Sequence, residues 1–129
     1  MCVRMARVYY NKLVRDKIKF IIEDKAQTCE VRVIETDREF QQELLKKVVE
    51  EAQALSMCRT REDFIGELAD LMLVLDALND MLHFSEKDIE QAIEESVRKK
   101  GTYSQRHFLH WSDDKTYEST ESPLGLWDN

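Results

Sequence analysis

A chain of 129 residues, 43% hydrophobic and 35% charged, suits a single domain that buries about two thirds of its unfolded surface without disulfide staples. Three cysteines (Cys2, Cys29 and Cys58) and three scattered histidines lack zinc-site spacing and fit a reducing, cytoplasmic compartment. A net charge of −7 disfavours duplex nucleic acid; residues 71–75, the longest apolar run, fall far short of the ~20 needed to span a membrane, and residues 1–14 hold no signal-peptide core.

Residues 9–22, YYNKLVRDKIKFII, are predicted to form a basic, apolar-periodic helix with Leu13, Ile18, Ile21 and Ile22 inward. Lys12, Arg15 and Lys17 make its positive edge, which is either a solvated face or, through Arg15 beside Asp16, a fixed phosphate donor with its own orienting partner. Residues 30–35, EVRVIE, alternate apolar and charged side chains and give the one strand signal. One short strand makes no core, so the stretch reads as an extended connector or an arm of a small ribbon with a partner chain.

Thr36-Asp37-Arg38-Glu39 is a capping box that should start a long helix carrying Phe40, Leu44, Val48, Ala52 and Leu55 inward. Glu51 shares that face, seven residues from Leu44, three from Val48 and four from Leu55. Residues 56–59 break the helix, and Thr60-Arg61-Glu62-Asp63 restarts one running to about Leu82. On it Glu67 and Asp70, spaced i, i+3, meet beside Phe64, Leu71 and Val74. Glutamates usually face water, and a slip of one position would move Glu51 to the rim; the run ELADLMLVLDALN, however, leaves Asp70 almost no polar face.

If the two helices pair, Glu51, Glu67 and Asp70 converge. Like charges ~4 Å apart repel by about 4 kcal/mol at an effective dielectric near 20, so the cluster needs protons or a cation, and a hard ion such as Mg²⁺ fits best. The second of these helices is apolar on more than one side between Leu68 and Leu78, so a second copy of the chain is expected to cover it, as a homodimer or a dimer of dimers, with Asp76 near the contact.

Ser85-Glu86-Lys87-Asp88 caps a further helix with Ile89, Ala92, Ile93 and Val97 inward, Lys99 and Lys100 at its negative dipole end, and Gly101 to stop it. Tyr103, Arg106, His107 and His110 follow, the histidines reading as surface or packing residues. Residues 112–129 are acidic and Ser/Thr-rich, a flexible tail in which Trp127 leaves open a docking contact. The expectation is an all-α protein with one helical domain over residues 1–111.

Three blocks of this chain resemble the MazG-like, all-α nucleoside triphosphate pyrophosphohydrolases, and more closely their phosphoribosyl-ATP pyrophosphohydrolase-like branch. NKLVRDKI over residues 11–18 resembles the amino-terminal signature of that branch. Glu50-Glu51-Ala52-Gln53-Ala54-Leu55 with Glu67-Leu68-Ala69-Asp70 resembles the split EExxE and ExxD metal motif, and Lys99-Lys100-Gly101-Thr102-Tyr103 with Arg106 resembles the basic carboxyl-terminal block. The resemblance implies a four-helix bundle completed by dimerisation, which hydrolyses a nucleotide between its α and β phosphates and releases pyrophosphate.

On this resemblance Mg²⁺, or Mn²⁺, is held by Glu51, Glu67 and Asp70, with Glu50 to orient the attacking water. Asn11, Lys12, Arg15, Lys100 and Arg106 contact the substrate, and Tyr103 stacks on its base. Ala54 stands where the pattern has its last Glu, leaving the set one carboxylate short. A nucleotide-binding module without catalysis is therefore the second reading, and a purely structural helical dimer the third.

Overall fold

In the computed structural model, which describes residues 6–114, four helices follow one another: α1 (Ile18–Asp24), α2 (Asp37–Ser56), α3 (Arg61–Met81) and α4 (Glu86–Lys100). No strand occurs among the described residues, and no helix is long and apolar enough to cross a membrane. The chain divides into two units, residues 1–91 and 92–129, with the boundary inside α4. Cys2 and the expectations for residues 115–129, including Trp127, fall outside the described residues.

The first unit is organised by α2 packing on α3. Each helix begins at the threonine of its capping signal: Thr36 Oγ1 accepts the Glu39 N–H at 3.2 Å, and Thr60 Oγ1 accepts the Asp63 N–H at 3.1 Å, while the Glu39 carboxylate, expected to reach back to the cap, is taken by Arg32. Acidic residues fill both first turns, Asp37 and Glu39 in one and Glu62 and Asp63 in the other, where they face the positive end of the helix dipole. Leu44 of α2 and Val74 and Leu78 of α3 are buried, with Leu13, Phe40, Leu45, Val48, Ala77 and Met81 packed around them. Ala52, expected inward, is exposed, because it lies off the side of α2 that meets α3.

One expectation fails here for a tertiary reason. Residues 9–17 are not helical, and α1 starts only at Ile18. Asn11 takes a left-handed φ of 46°, Leu13 packs on the core, and Lys12 and Arg15 reach α2 and α3, so contacts with distant residues take the place of a local helix. Ile21, expected inward, is exposed. Residues 30–35 form the connector that the sequence allowed: no strand stands beside them among the described residues, and Arg32 anchors them to the first turn of α2 through paired bonds to the Glu39 carboxylate at 2.6 and 2.8 Å.

Helix ends carry a small, testable strain. Ala26 sits just past α1 at φ 56°, donating its N–H to the Glu23 carbonyl at 2.9 Å, while the Gln27 N–H reaches Ile22 at 3.3 Å. A Cβ at left-handed φ costs roughly 1 kcal/mol. Ala26→Gly is therefore expected to stabilise the protein by up to about 1 kcal/mol, read as a higher denaturation midpoint; an unchanged or lower midpoint contradicts this.

α4 opens on the reciprocal cap read from the sequence, the Ser85 N–H bonding Asp88 Oδ2 and the Asp88 N–H bonding Ser85 Oγ, at 2.9 and 3.1 Å. Gly101 ends it at φ 78°, with its N–H on the Val97 carbonyl at 2.7 Å. Of its expected inward residues Ile89 is partly covered, whereas Ala92, Ile93 and Val97 are exposed.

Candidate functional site

The pairing of α2 with α3 brings Glu51, Glu67 and Asp70 together. One carboxylate oxygen of each lies within 4.8 Å of the others. Local periodicity explains the meeting: Glu67 and Asp70 stand one turn apart on α3, and Glu51 stands one turn beyond Val48 on the covered side of α2. The tandem pair divides as the spacing requires. Glu51 is 17% exposed and turns inward, whereas Glu50, 43% exposed, turns to the rim.

Charges are unbalanced inside the cluster. Partial burial, followed by the neighbouring Asp70 and Glu51, pushes the Glu67 carboxyl above its usual value. Glu50 is held the other way, its carboxyl kept low by hydrogen bonds from Lys12 at 2.8 Å and Lys47 at 2.9 Å. Lys12 is raised by the same contact with Glu50. Arg15 Nη1 donates to Asp70 Oδ1 at 3.1 Å, so the amino-terminal segment reaches both acidic positions.

An open pocket of roughly 580 Å³ adjoins the cluster. Glu67 and Asp70 of the cluster line it together with Ala54, Met57, Cys58, Arg59 and Gly66, and Glu62 and Asp63 add two further carboxylates. Cys58 Sγ donates to the Ala54 carbonyl at 3.4 Å, and burial, then Glu67, then Asp63 push its thiol pKa up, so it stays a protonated thiol rather than a nucleophile.

Three oxygen donors of full negative charge suit a hard divalent ion. With bonds of ~2.0–2.1 Å, an octahedral Mg²⁺ holds its ligand oxygens roughly 3 to 4.2 Å apart, so the three side chains fit after a slight closing of rotamers, and water can complete the shell. Ala54 contributes no donor, and it lies on the pocket wall next to the cluster.

Among the residues singled out in the sequence, Glu50, Glu51, Glu67, Asp70, Lys12 and Arg15 are joined through these contacts. Asn11 lies in the same amino-terminal segment, next to Lys12, at a left-handed φ of 46°. Lys100, Tyr103 and Arg106 belong to the second unit, whereas the acidic cluster is drawn from the first. Two residues escaped the sequence reading. Lys47, 14% exposed, pairs with both Glu50 and Glu51, and its i, i+3 and i, i+4 spacing to them was a usable signal. Arg59 is placed at the pocket only by the fold of the 57–60 turn, for which the sequence gives no cue.

Comparison of the chain with protein-family models, with curated proteins and with solved structures finds no match.

Proposed function

We propose that this protein is a divalent-metal-dependent nucleotide pyrophosphohydrolase of MazG-like type, acting as a homodimer in a reducing cytoplasm, with Glu51, Glu67 and Asp70 as ligands for Mg²⁺ or Mn²⁺. The observation that carries the reading is the meeting of three carboxylate oxygens from two helices within 4.8 Å. Like charges this close need protons or a cation, and Arg15 and Lys47 pair with only two of the three, Asp70 and Glu51. The resemblance of NKLVRDKI and of the two acidic motifs to that family adds the reaction, hydrolysis between the α and β phosphates of a nucleoside triphosphate or of a phosphoribosyl-ATP-like substrate.

When bound, the metal ion supplies charge neutralisation at the phosphates and a lowered pKa for an attacking water. The chain's own residues divide the remaining work. Glu50, whose carboxyl is held low by Lys12 and Lys47, stays ionised across neutral pH and accepts a hydrogen bond from water, which suits it to orienting the nucleophile. Lys12 and Arg15, already paired with Glu50 and Asp70, are cations placed to turn to phosphate oxygens. Dimerisation is supported by the apolar residues that α3 leaves uncovered: Phe64, Ile65, Met72, Leu73 and Leu75 are each more than 40% exposed.

Ala54 on the pocket wall favours a second reading, a nucleotide-binding module without turnover. One experiment separates the two: pyrophosphate release from a panel of nucleotides under Mg²⁺ and Mn²⁺, beside calorimetric binding of the same nucleotides. Turnover that depends on metal supports the enzyme; binding without release supports the module. In either case Ala54→Glu is expected to tighten metal binding about tenfold (~1.4 kcal/mol) by restoring a carboxylate, and unchanged affinity would place position 54 outside the site.

A further inference from the structure

We infer that Gly66 determines substrate choice, its missing side chain keeping open the pocket that receives the nucleobase while the phosphates lie toward Lys12 and Arg15. The inference rests on the pyrophosphohydrolase reading and extends it to the part of the substrate that does not react.

Gly66 lies within the 21-residue helix α3, where glycine is roughly 1 kcal/mol worse than alanine. Among the described residues nothing crowds it: a Cβ built there meets no atom within 4 Å, and the backbone is ordinary helix. The open space beside it belongs to the pocket that Glu67 and Asp70 also line, so a larger side chain at position 66 would enter that pocket.

Charge sets the direction of the ligand in that pocket. Lys12 and Lys47 are engaged at Glu50, and Arg15 at Asp70, yet none of the three lines the pocket. Its lining holds one cation, Arg59, against Glu62, Asp63, Glu67 and Asp70. Such a surface repels phosphates beyond the metal position, and suits a neutral ring whose amino and imino groups donate to the rim carboxylates. Met57 and Ala54 add apolar contact, and the Arg59 guanidinium is pre-shaped to stack on a planar base. A second copy of the chain suits it less, since a two-fold contact on this patch would bring the same carboxylates against themselves.

The test uses the full-length protein with three probes: Mn²⁺ alone, inorganic triphosphate with Mn²⁺, and α,β-methylene analogues of the four common ribonucleoside triphosphates with Mn²⁺. Gly66→Leu is expected to weaken the best nucleotide analogue at least tenfold while leaving Mn²⁺ and inorganic triphosphate binding within twofold. Gly66→Ala should show a smaller loss of the same pattern together with a higher melting temperature, which keeps a folded control in hand. Nucleotide affinity unchanged in Gly66→Leu, or a parallel loss of all three probes in Gly66→Ala, overturns the assignment while leaving the pyrophosphohydrolase reading intact. A wild-type protein that takes up neither Mn²⁺ nor any nucleotide removes both.

Discussion

Glu67→Gln is expected to raise the melting temperature of the metal-free protein at neutral pH and, at the same time, to abolish its stabilisation by Mg²⁺. The folded-state carboxyl of Glu67 is raised above its ordinary value of 4.5 by partial burial and by Asp70 and Glu51. A raised acid favours the folded state fully below 4.5, and that advantage is lost as the pH rises through the folded-state value, so the ionised form weakens the fold at pH 7. The amide removes the penalty, and the variant's stability should fall less steeply with pH above 4.5 than the wild type's. Metal reverses the ranking. At 100 times its dissociation constant a bound ion adds about 2.7 kcal/mol to the wild type, on the order of 10 °C for a domain of this size, and should add little to the variant. Pyrophosphate release should drop by about a hundredfold or more. Melts at several pH values with and without millimolar Mg²⁺ read the effect, and a variant that still gains the full metal shift would take Glu67 out of the ligand set.

The second large effect concerns the uncovered side of α3. Met72 is 54% and Ile65 63% exposed, seven residues apart and so on one face of the helix. A monomer would lose little if either became charged, since neither is buried in the single chain. In a two-fold dimer each substitution counts twice and places like charges across the contact. Met72→Glu is expected to weaken self-association at least about a hundredfold, or ~2.7 kcal/mol, with the sedimenting species halving in mass at micromolar concentration. Sedimentation identical to the wild type would mean that this face is not the dimer contact.

What the sequence disclosed follows from how local each signal is. The starts of α2, α3 and α4 were readable because a cap joins residues three apart, and Thr36, Thr60 and Ser85 make those bonds. The meeting of Glu51, Glu67 and Asp70 was readable because apolar periodicity fixes which side of each helix is covered, and the short 57–60 turn forces α2 and α3 to be neighbours. Residues 9–17 were misread as helix because their organising contacts, Lys12 to Glu50 and Arg15 to Asp70, span 38 and 55 positions and leave no periodic trace. The alternation at residues 30–35 was legible as a connector because it specifies a strand only where another strand stands beside it, and none does among the described residues. The pocket at Arg59 depends on the path of a turn, which composition does not encode.

Thr60 does more than begin a helix. It closes a turn that joins the two acidic motifs within one continuous hairpin, so Glu51 and Asp70 stand nineteen positions apart. Closing so short a loop forfeits little chain entropy, and the two helices can therefore find each other early in folding, before the amino-terminal segment arrives. What opposes that closure is the mutual repulsion of the acids it unites. A divalent ion present as the chain collapses would relieve it, acting as a template for the nascent hairpin as well as a resident of the finished site.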